Sequence, residues 1–162
     1  MNVQIVSGTG STNGNPNGKG NLIVGCNTTS LGQTRVGSHY IVVGDEHEYT
    51  GSGGFVVGWA NKITADNATV TGGNNNTVGN DYASVSGGSL ITASGELSSV
   101  NGGTQNVASG RHASVSGGRL NTANGPESSI SGGASLIQPA TNGWAAGTAA
   151  PGNTIVGDFE SP

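Results

Sequence analysis

The sequence has little of most features that stabilise or equip an ordinary globular domain. Of its 162 residues, 32% are apolar, 4% are aromatic and 9% are charged, and only one is a cysteine. A single cysteine excludes an intrachain disulfide framework, and a conventional thick core is not expected from so few apolar residues. Five lysines and arginines argue against a nucleic-acid groove, which needs dense positive charge. No apolar run approaches the roughly 20 residues of a membrane span, so membrane insertion is not expected.

Glycine, by contrast, is abundant, and its spacing is regular. The chain contains 31 glycines and has a formal charge of only −4, whereas disordered segments usually combine low hydrophobicity with high net charge. Double glycines recur at a constant interval, at positions 72–73, 87–88, 102–103, 117–118 and 132–133. A fixed period of this kind is typical of a repeat array rather than of a flexible linker.

Further columns appear when the repeats are aligned on the double glycines. A β-branched residue stands two positions before each pair and is predicted to form the core column: Val70, Val85, Val100, Val115 and Ile130. A second column is small and apolar: Val78, Ala93, Ala108 and Ala123. A lone glycine forms a third column, and Asn80 replaces it in the preceding repeat, which favours a left-handed backbone there. The predicted turn glycines with positive φ are therefore Gly73, Gly88, Gly95, Gly103, Gly110, Gly118, Gly125 and Gly133.

These columns predict an all-β fold in which each repeat is one coil of a parallel β-solenoid. Two short strands and two tight turns fill one repeat, and no repeat shows helical periodicity. Val42 and Val56 stand at intervals of 14 residues before Val70, so the array is predicted to span residues 21–133, with regular 15-residue coils from about residue 69. Residues 1–20 and 134–162 are predicted to be the N- and C-terminal caps.

The predicted coil is thin, and this has an energetic consequence. Ordering 15 backbone residues costs on the order of 15–30 kcal/mol, whereas burying one Val and one Ala returns roughly 2–4 kcal/mol. Ladder hydrogen bonds add about 0.5–1.5 kcal/mol each. We therefore expect further burial against copies of the same chain, as an obligate homo-oligomer.

The units ASVSGGSLITASGEL and ASVSGGRLNTANGPE resemble the head repeats of trimeric autotransporter adhesins, the YadA-like head. The resemblance covers residues 41–133 well and residues 20–40 loosely. It implies a left-handed parallel β-roll, an intertwined homotrimer and a surface-binding role at the cell surface or outside the cell. The chain lacks that family's heptad stalk and membrane-barrel segment, and Ser-Gly-Gly replaces the commoner Ala-Ile-Gly. It is therefore either a head excised from an adhesin or a self-standing trimer, as in phage fibres and virion or appendage decorations. Met1 and the compact length favour the second.

The sequence predicts no enzymatic activity, cofactor or metal site. It contains no Gly-x-Ser-x-Gly elbow with partners and no carboxylate pair placed for glycoside hydrolysis. Asp45, Glu46, His47 and Glu48 form the densest ionisable cluster, with His39 near in sequence. We interpret this cluster as a solvated corner, with a bound ion as the alternative. Cys26 is predicted to be a small buried residue, with an intermolecular bridge or a reactive thiol as alternatives.

Two sets of positions vary between repeats while the frame stays constant, and both are expected at exposed corners. One set is 81–82, 96–97, 111–112 and 126–127, and the other is 74–75, 89–90, 104–105 and 119–120. They reflect either free drift or a contact face for a surface glycan or a protein partner. Trp59 is expected to interrupt its coil where later coils carry glycine and so to fill a gap between chains. Trp144 is expected to pack in the C-terminal cap. Both are also candidates for binding, because an exposed indole stacks on sugar rings. The candidate binding residues are Tyr82, Arg111, His112, Arg119, Trp59 and Trp144.

A monomeric ice-binding solenoid is the alternative function. Repeated hydroxyls could form a flat face from the columns Thr69, Ser84, Ser99, Ser114, Ser129 and Thr71, Ser86, Ser116, Ser131. Serine predominates over threonine in these columns, and Asn101 interrupts one of them, which counts against this hypothesis.

Overall fold

The computed structural model describes residues 3–12, 14–30 and 32–148, and it confirms an all-β parallel β-solenoid of about eight turns. The described residues contain no helix, and hence none that could cross a membrane. The strands are β1 (Leu22–Val24), β2 (Ile41–Asp45), β3 (Glu48–Tyr49), β4 (Phe55–Trp59), β5 (Lys62–Ile63), β6 (Thr69–Val70), β7 (Thr77–Val78), β8 (Ser84–Val85), β9 (Thr92–Ala93), β10 (Ser99–Val100), β11 (Val107–Ala108), β12 (Ser114–Val115), β13 (Thr122–Ala123), β14 (Ser129–Ala134), β15 (Ile137–Gln138) and β16 (Trp144–Thr148).

The strands form two parallel sheets. The wide sheet has nine strands in the order β1-β2-β4-β6-β8-β10-β12-β14-β16, and the narrow sheet has seven, from β3 to β15. Equivalent residues of successive coils lie side by side, as Val85 does with Val100 and Ala93 with Ala108. The first connection is longer, because Leu22 pairs with Ile41. The stack continues through β16, into the segment predicted as a cap, and residues 149–162 lie outside the described residues.

The inward positions of both sheets form a thin apolar core. In each regular coil Val points inward between two outward residues, as Val85 does between Ser84 and Ser86. The wide-sheet column from Val42 to Ile130 is at most 1% exposed. Larger rings fit only where a glycine makes room: a Cβ on Gly54 would lie 2.0 Å from Cε1 of Tyr40.

A column of buried polar side chains runs through the same core. Its members are Asn27, His47, Asn61, Asn76, Asn106 and Asn121, each at most 5% exposed. The amide of Asn76 shows the pattern: its Oδ1 accepts a hydrogen bond from the backbone N of Ile91 (3.0 Å), and its Nδ2 donates to the carbonyls of Gly72 (3.2 Å) and Gly88 (3.1 Å). One side chain thus bonds three backbone groups of the core, and one of them, Gly88 O, also accepts a hydrogen bond from Asn74 N (3.0 Å).

The corners differ from the predicted ones in which residues adopt positive φ. Gly95, Gly110 and Gly125 lie in bends but do not have positive φ, and neither does Asn80, so that part of the prediction is wrong. These glycines are required by close stacking instead, since a Cβ on Gly95 would lie 2.0 Å from the carbonyl oxygen of Gly110. The left-handed residues of the regular corners are not glycines: Asn75, Leu90, Gln105 and Leu120 at one corner, and Tyr82, Leu97, His112 and Glu127 at the other.

The double glycines mark an extra residue in the longer coils. The coil from β2 to β4 is a short one, and these strands pair without interruption from Ile41 with Phe55 to Asp45 with Trp59. The long coils, such as the one from β6 to β8, contain one residue more. There the pairing stops after two residues and resumes at an isolated bridge such as Asn74 with Ser89. The second glycine of each pair has the predicted positive φ, from 82° at Gly73 to 122° at Gly133. The extra residue is therefore accommodated as a glycine bulge.

Candidate interaction surfaces

The solenoid presents two flat faces and two ridges to solvent. Ridge A is the corner column of the left-handed residues Ala60, Asn75, Leu90, Gln105, Leu120 and Ser135. Ridge B is the corner formed by the left-handed residues Asn67, Tyr82, Leu97, His112, Glu127 and Asn142 together with the residue before each of them, such as Glu96 and Arg111. Each left-handed residue donates its backbone N–H to the preceding coil, as Leu97 does to Asp81 O (3.1 Å). This ladder holds a backbone conformation that costs a non-glycine residue on the order of 1 kcal/mol. The side chains are free to vary because the backbone makes the corner.

Ridge B brings together three of the candidate binding residues. Tyr82 is 57% exposed and Leu97, in the next coil, is 46% exposed, so the two form an apolar strip. Arg111 Nε pairs with Glu96 Oε2 at 3.1 Å, and His112 Nδ1 lies 3.9 Å from Glu127 Oε1. Exposed pairs of this kind contribute little to stability. Ridge B therefore combines an aromatic ring, an aliphatic side chain and paired charges on one exposed line.

Ridge A has a different character, and its apolar members were not among the candidates. Leu90 is 53% exposed and Leu120 is 40% exposed. Both occupy left-handed corners, where leucine has no conformational advantage. The only signal in the sequence was the variability of this corner. Arg119 lies beside Leu120, in the bridge column at the margin of the wide sheet.

The two tryptophans lie at separate places. Trp59 is 47% exposed and pairs with Asn74. It belongs to the same bridge column, at the margin of the wide sheet, as Arg119. The prediction that Trp59 takes the place of a glycine is wrong, because Gly58 occupies the glycine column. Trp59 and Arg119 are four coils apart, about 19 Å at 4.8 Å per coil, so they do not form one site. Trp144 is 39% exposed on the last strand, and its Nε1 donates to Ser131 Oγ at 2.7 Å.

Two of the three outward columns of the wide sheet are uncharged. The third, at the margin of the sheet, carries Asp45 and Arg119. In the two uncharged columns, the first three strands of the sheet present apolar side chains: Leu22, Val24, Ile41, Val43, Phe55 and Val57. The regular coils continue the same columns with the hydroxyls and the one amide of Thr69, Thr71, Ser84, Ser86, Ser99, Asn101, Ser114, Ser116, Ser129 and Ser131. Such a face can approach another surface closely and loses little charge solvation on contact.

The outward face of the narrow sheet carries a column of threonines that the sequence analysis did not include among the hydroxyl columns. One column contains Thr77, Thr92, Val107 and Thr122, in register along the sheet. At its N-terminal end Lys62 Nζ pairs with Glu48 Oε1 at 3.0 Å. Period-two alternation around each narrow strand was the signal that could have identified this column.

In the cluster from Asp45 to Glu48, the side chain of His47 lies in the core, apart from its acidic neighbours in sequence. His47 is fully buried in the polar core column, where Nδ1 accepts from Asn61 N (3.2 Å) and Nε2 donates to Val43 O (3.1 Å), so the interpretation as a solvated corner is wrong for this residue. Burial lowers the pKa of His47. The pKa of Asp45 is lowered by hydrogen bonds from the Thr28 hydroxyl (2.8 Å) and backbone. In the described ranges no three His, Cys, Asp or Glu side chains come together as metal ligands.

Two other predicted residues are placed as follows. His39 Nε2 accepts a hydrogen bond from Ser7 N at 3.3 Å, away from the acidic cluster. Cys26 is exposed, so the prediction that it is buried is wrong. It lies two residues after β1, the terminal strand of the wide sheet, and none of the described residues forms a strand beyond β1.

The sequence matches no protein-family model, and no curated protein is significantly similar to it. The resemblance to adhesin head repeats therefore depends on the repeat motifs themselves.

Proposed function

We propose that this protein is a non-enzymatic, homotrimeric structural and adhesive head, of the kind that forms a fibre tip or decorates a virion or appendage, and that it binds a surface glycan or protein through its ridges. The observation that carries the proposal is the division of the surface. Two of the three outward columns of the wide sheet are uncharged, and the third carries only Asp45 and Arg119, whereas ridge B carries Glu96, Arg111, His112 and Glu127. Charged residues are depleted at the centres of interfaces.

The dimensions of the wide sheet suit self-association. Nine strands are spaced about 4.8 Å apart, and the face of each coil is about 17 Å wide from its first outward column to the bridge column, such as from Ser84 to Ser89. These dimensions give a face of roughly 700 Å². A stable interface buries about 800 Å² per partner. Its apolar end, from Leu22 to Val57, supplies the burial that the thin core lacks. Packing of this face between copies leaves both ridges on the outside of the trimer.

The oligomer is tested by placing a charge on one face or the other. Ser86 and Ser94 are both exposed serines, one on the wide face and one on the narrow face. By sedimentation equilibrium at low protein concentration, we expect the smallest species to have a mass of three times the 15.8 kDa chain for the unaltered protein and for Ser94→Arg. Ser86→Arg should shift the equilibrium to the monomer. A monomeric unaltered protein, or equal masses for the two variants, would show the trimer proposal to be wrong.

The adhesive role is tested on the same trimer with immobilised glycans and matrix proteins. Tyr82→Ala and Arg111→Ala on ridge B should each lower retention at least tenfold. Asn124→Ala, at an exposed position on the narrow face, is the matched control and should bind normally. Retention that is absent for the unaltered trimer across the whole panel would contradict binding through ridge B.

The threonine column of the narrow sheet favours one second candidate, ice binding. Thr77 and Thr92 lie in adjacent coils on one flat face, and Thr122 follows two coils later, after Val107. A thermal-hysteresis measurement at high protein concentration decides this. Activity that Thr92→Lys removes would support ice binding, and an absence of hysteresis would exclude it.

A further inference from the structure

The N-terminal end of the wide sheet is an open edge of the core. β1 is its terminal strand, and none of the described residues forms a strand on its outer side. Ile23 aligns with the core residue Val42, yet Ile23 is 45% exposed whereas Val42 is fully buried. Beside it lies an apolar groove of about 260 Å³ whose lining includes Val3, Ile5, Leu22 and Ile41. Open apolar edges of this type accept an additional strand.

The sequence contains a segment that matches this edge. Residues 154–158 are TIVGD, and the three strand segments at the open end are LIVGC (22–26), IVVGD (41–45) and FVVGW (55–59). Aligned on glycine, Ile155 corresponds to Ile23, Val156 to Val24 and Gly157 to Gly25. In that register Ile155 would cover the open end of the core column, and Val156 would extend the apolar part of the wide face.

The glycine in this match is a strict steric requirement. A Cβ on Gly25 would lie 2.7 Å from Gly44 O, and a Cβ on Gly44 would lie 2.0 Å from Gly58 O. Every strand of this column therefore needs glycine where it faces the next carbonyl. A strand added outside β1 must meet the same condition against Gly25, and Gly157 does so.

The segment cannot reach β1 of its own chain. β1 and β16 are the first and last of nine strands, which places them about 38 Å apart at 4.8 Å per step. Thr148 and Thr154 are six Cα steps apart, which span at most about 23 Å. The segment that pairs with β1 must therefore belong to a second copy, whose C-terminal end faces this N-terminal end.

We propose that copies of this protein join end to end, with residues 154–158 of one copy adding as a parallel strand to β1 of the next. The contact is heterologous and does not close on itself, so it extends along the solenoid axis. The assembly goes beyond the proposed function, because it holds whether the stacking unit is one chain or a trimer.

The test compares two glycine variants of the full chain. Gly157→Val introduces a side chain against the Gly25 carbonyl, whereas Gly152→Val alters a glycine outside the matched residues. By electron microscopy and sedimentation velocity, we expect rods of several solenoid lengths for the unaltered protein and for Gly152→Val. Gly157→Val should give single solenoids, with association weakened at least tenfold. Single solenoids for the unaltered protein at high concentration, or equal rod lengths for both variants, would overturn the proposal. Mass per unit length reports the trimer separately from rod length.

A second variant tests the register. Asp158 aligns with Cys26, which is exposed and is the only cysteine. Neighbouring parallel strands bring equivalent Cα atoms within disulfide range. With a copper–phenanthroline oxidant, Asp158→Cys should give a ladder of trimers, tetramers and longer chains on a non-reducing denaturing gel. Ser161→Cys is the matched control and should give little beyond dimers. A ladder of equal extent from both variants would contradict the register.

Discussion

Ser98 and Ser128 lie in an inward column that alanine occupies in neighbouring coils, at Ala83 and Ala113. Both serines are at most 1% exposed, and within the described structure neither hydroxyl has a hydrogen-bond partner. A buried hydroxyl without a partner costs about 1–3 kcal/mol. We expect Ser98→Ala and Ser128→Ala each to raise the free energy of unfolding by about 1 kcal/mol in denaturant titrations.

The exposed Ser94 gives the control for these substitutions. Ser94→Ala should change the free energy of unfolding by less than about 0.5 kcal/mol, as surface substitutions usually do. A destabilising effect of Ser98→Ala would show that its hydroxyl has a partner in the folded protein.

His47 predicts a pH dependence of stability. Burial lowers its folded pKa below the unfolded value, despite hydrogen bonds with Val43 and Asn61 that oppose the shift. Above the unfolded value of about 6.5 both states are neutral. As pH falls below it, the unfolded chain binds the proton first, so the free energy of unfolding decreases until the folded pKa is passed.

The variant that isolates this effect is His47→Asn, because asparagine occupies the same core column in other coils. Between pH 7 and pH 5, the unaltered protein should lose stability relative to His47→Asn in denaturant titrations. Parallel stability curves for the two proteins would contradict the assignment. Arg35 and Asp45 act on His47 in opposite directions, and both are present in each protein.

At the scale of the strand and turn, stacked glycines set how closely the coils approach. A Cβ on Gly110 would lie 2.0 Å from Gly125 O, whereas a Cβ on Gly79 would lie 3.9 Å from its nearest neighbour, the Ser94 Cβ. Gly110→Ala should lower the free energy of unfolding by about 3 kcal/mol, at the upper end for overpacked sites. Gly79→Ala should be neutral or slightly stabilising, since it restricts the unfolded chain. Equal effects of the two substitutions, measured by thermal and denaturant unfolding, would rule out this explanation.

Most of this element-level organisation could be predicted from the sequence. The spacing of the double glycines and the Val column indicated the coil length, the inward residues and both corner positions, because stacking repeats the same side chain at the same place. The roles of Gly95 and Tyr82 could not be predicted in this way. Glycine is selected both by positive φ and by close approach, and the sequence does not distinguish the two.

The candidate surfaces were predictable in part for a related reason. Variation between repeats located ridge B and the position of Leu90, since exposed corners carry few packing constraints. His47 was assigned to solvent because its neighbours in sequence are acidic. Its burial depends on the asparagine column, which becomes apparent only when the short and long coils are stacked.

For the whole molecule, association should be visible in the thermal midpoint. If copies pack through the wide face, the midpoint should rise by about 2–4 °C for each tenfold increase in protein concentration. The Ser86→Arg variant should show a midpoint that is lower and independent of concentration. Differential scanning calorimetry over two decades of concentration makes this comparison. A constant midpoint for the unaltered protein would mean that folding does not depend on self-association.

The glycine bulge also bears on how such a chain can change over evolutionary time. In the part of the chain that the structure describes, short and long coils stack on each other twice, where Gly58 lies against Gly73 and where Gly133 pairs with Gly147. A gene encoding this protein can therefore gain or lose one codon per repeat at the bulge without changing the register in which the strands of stacked coils pair. Duplication of a whole repeat, such as residues 84–98, would lengthen the molecule by one coil and leave every existing contact in place. The number of coils, and so the length of the solenoid, can thus be changed by replication slippage alone.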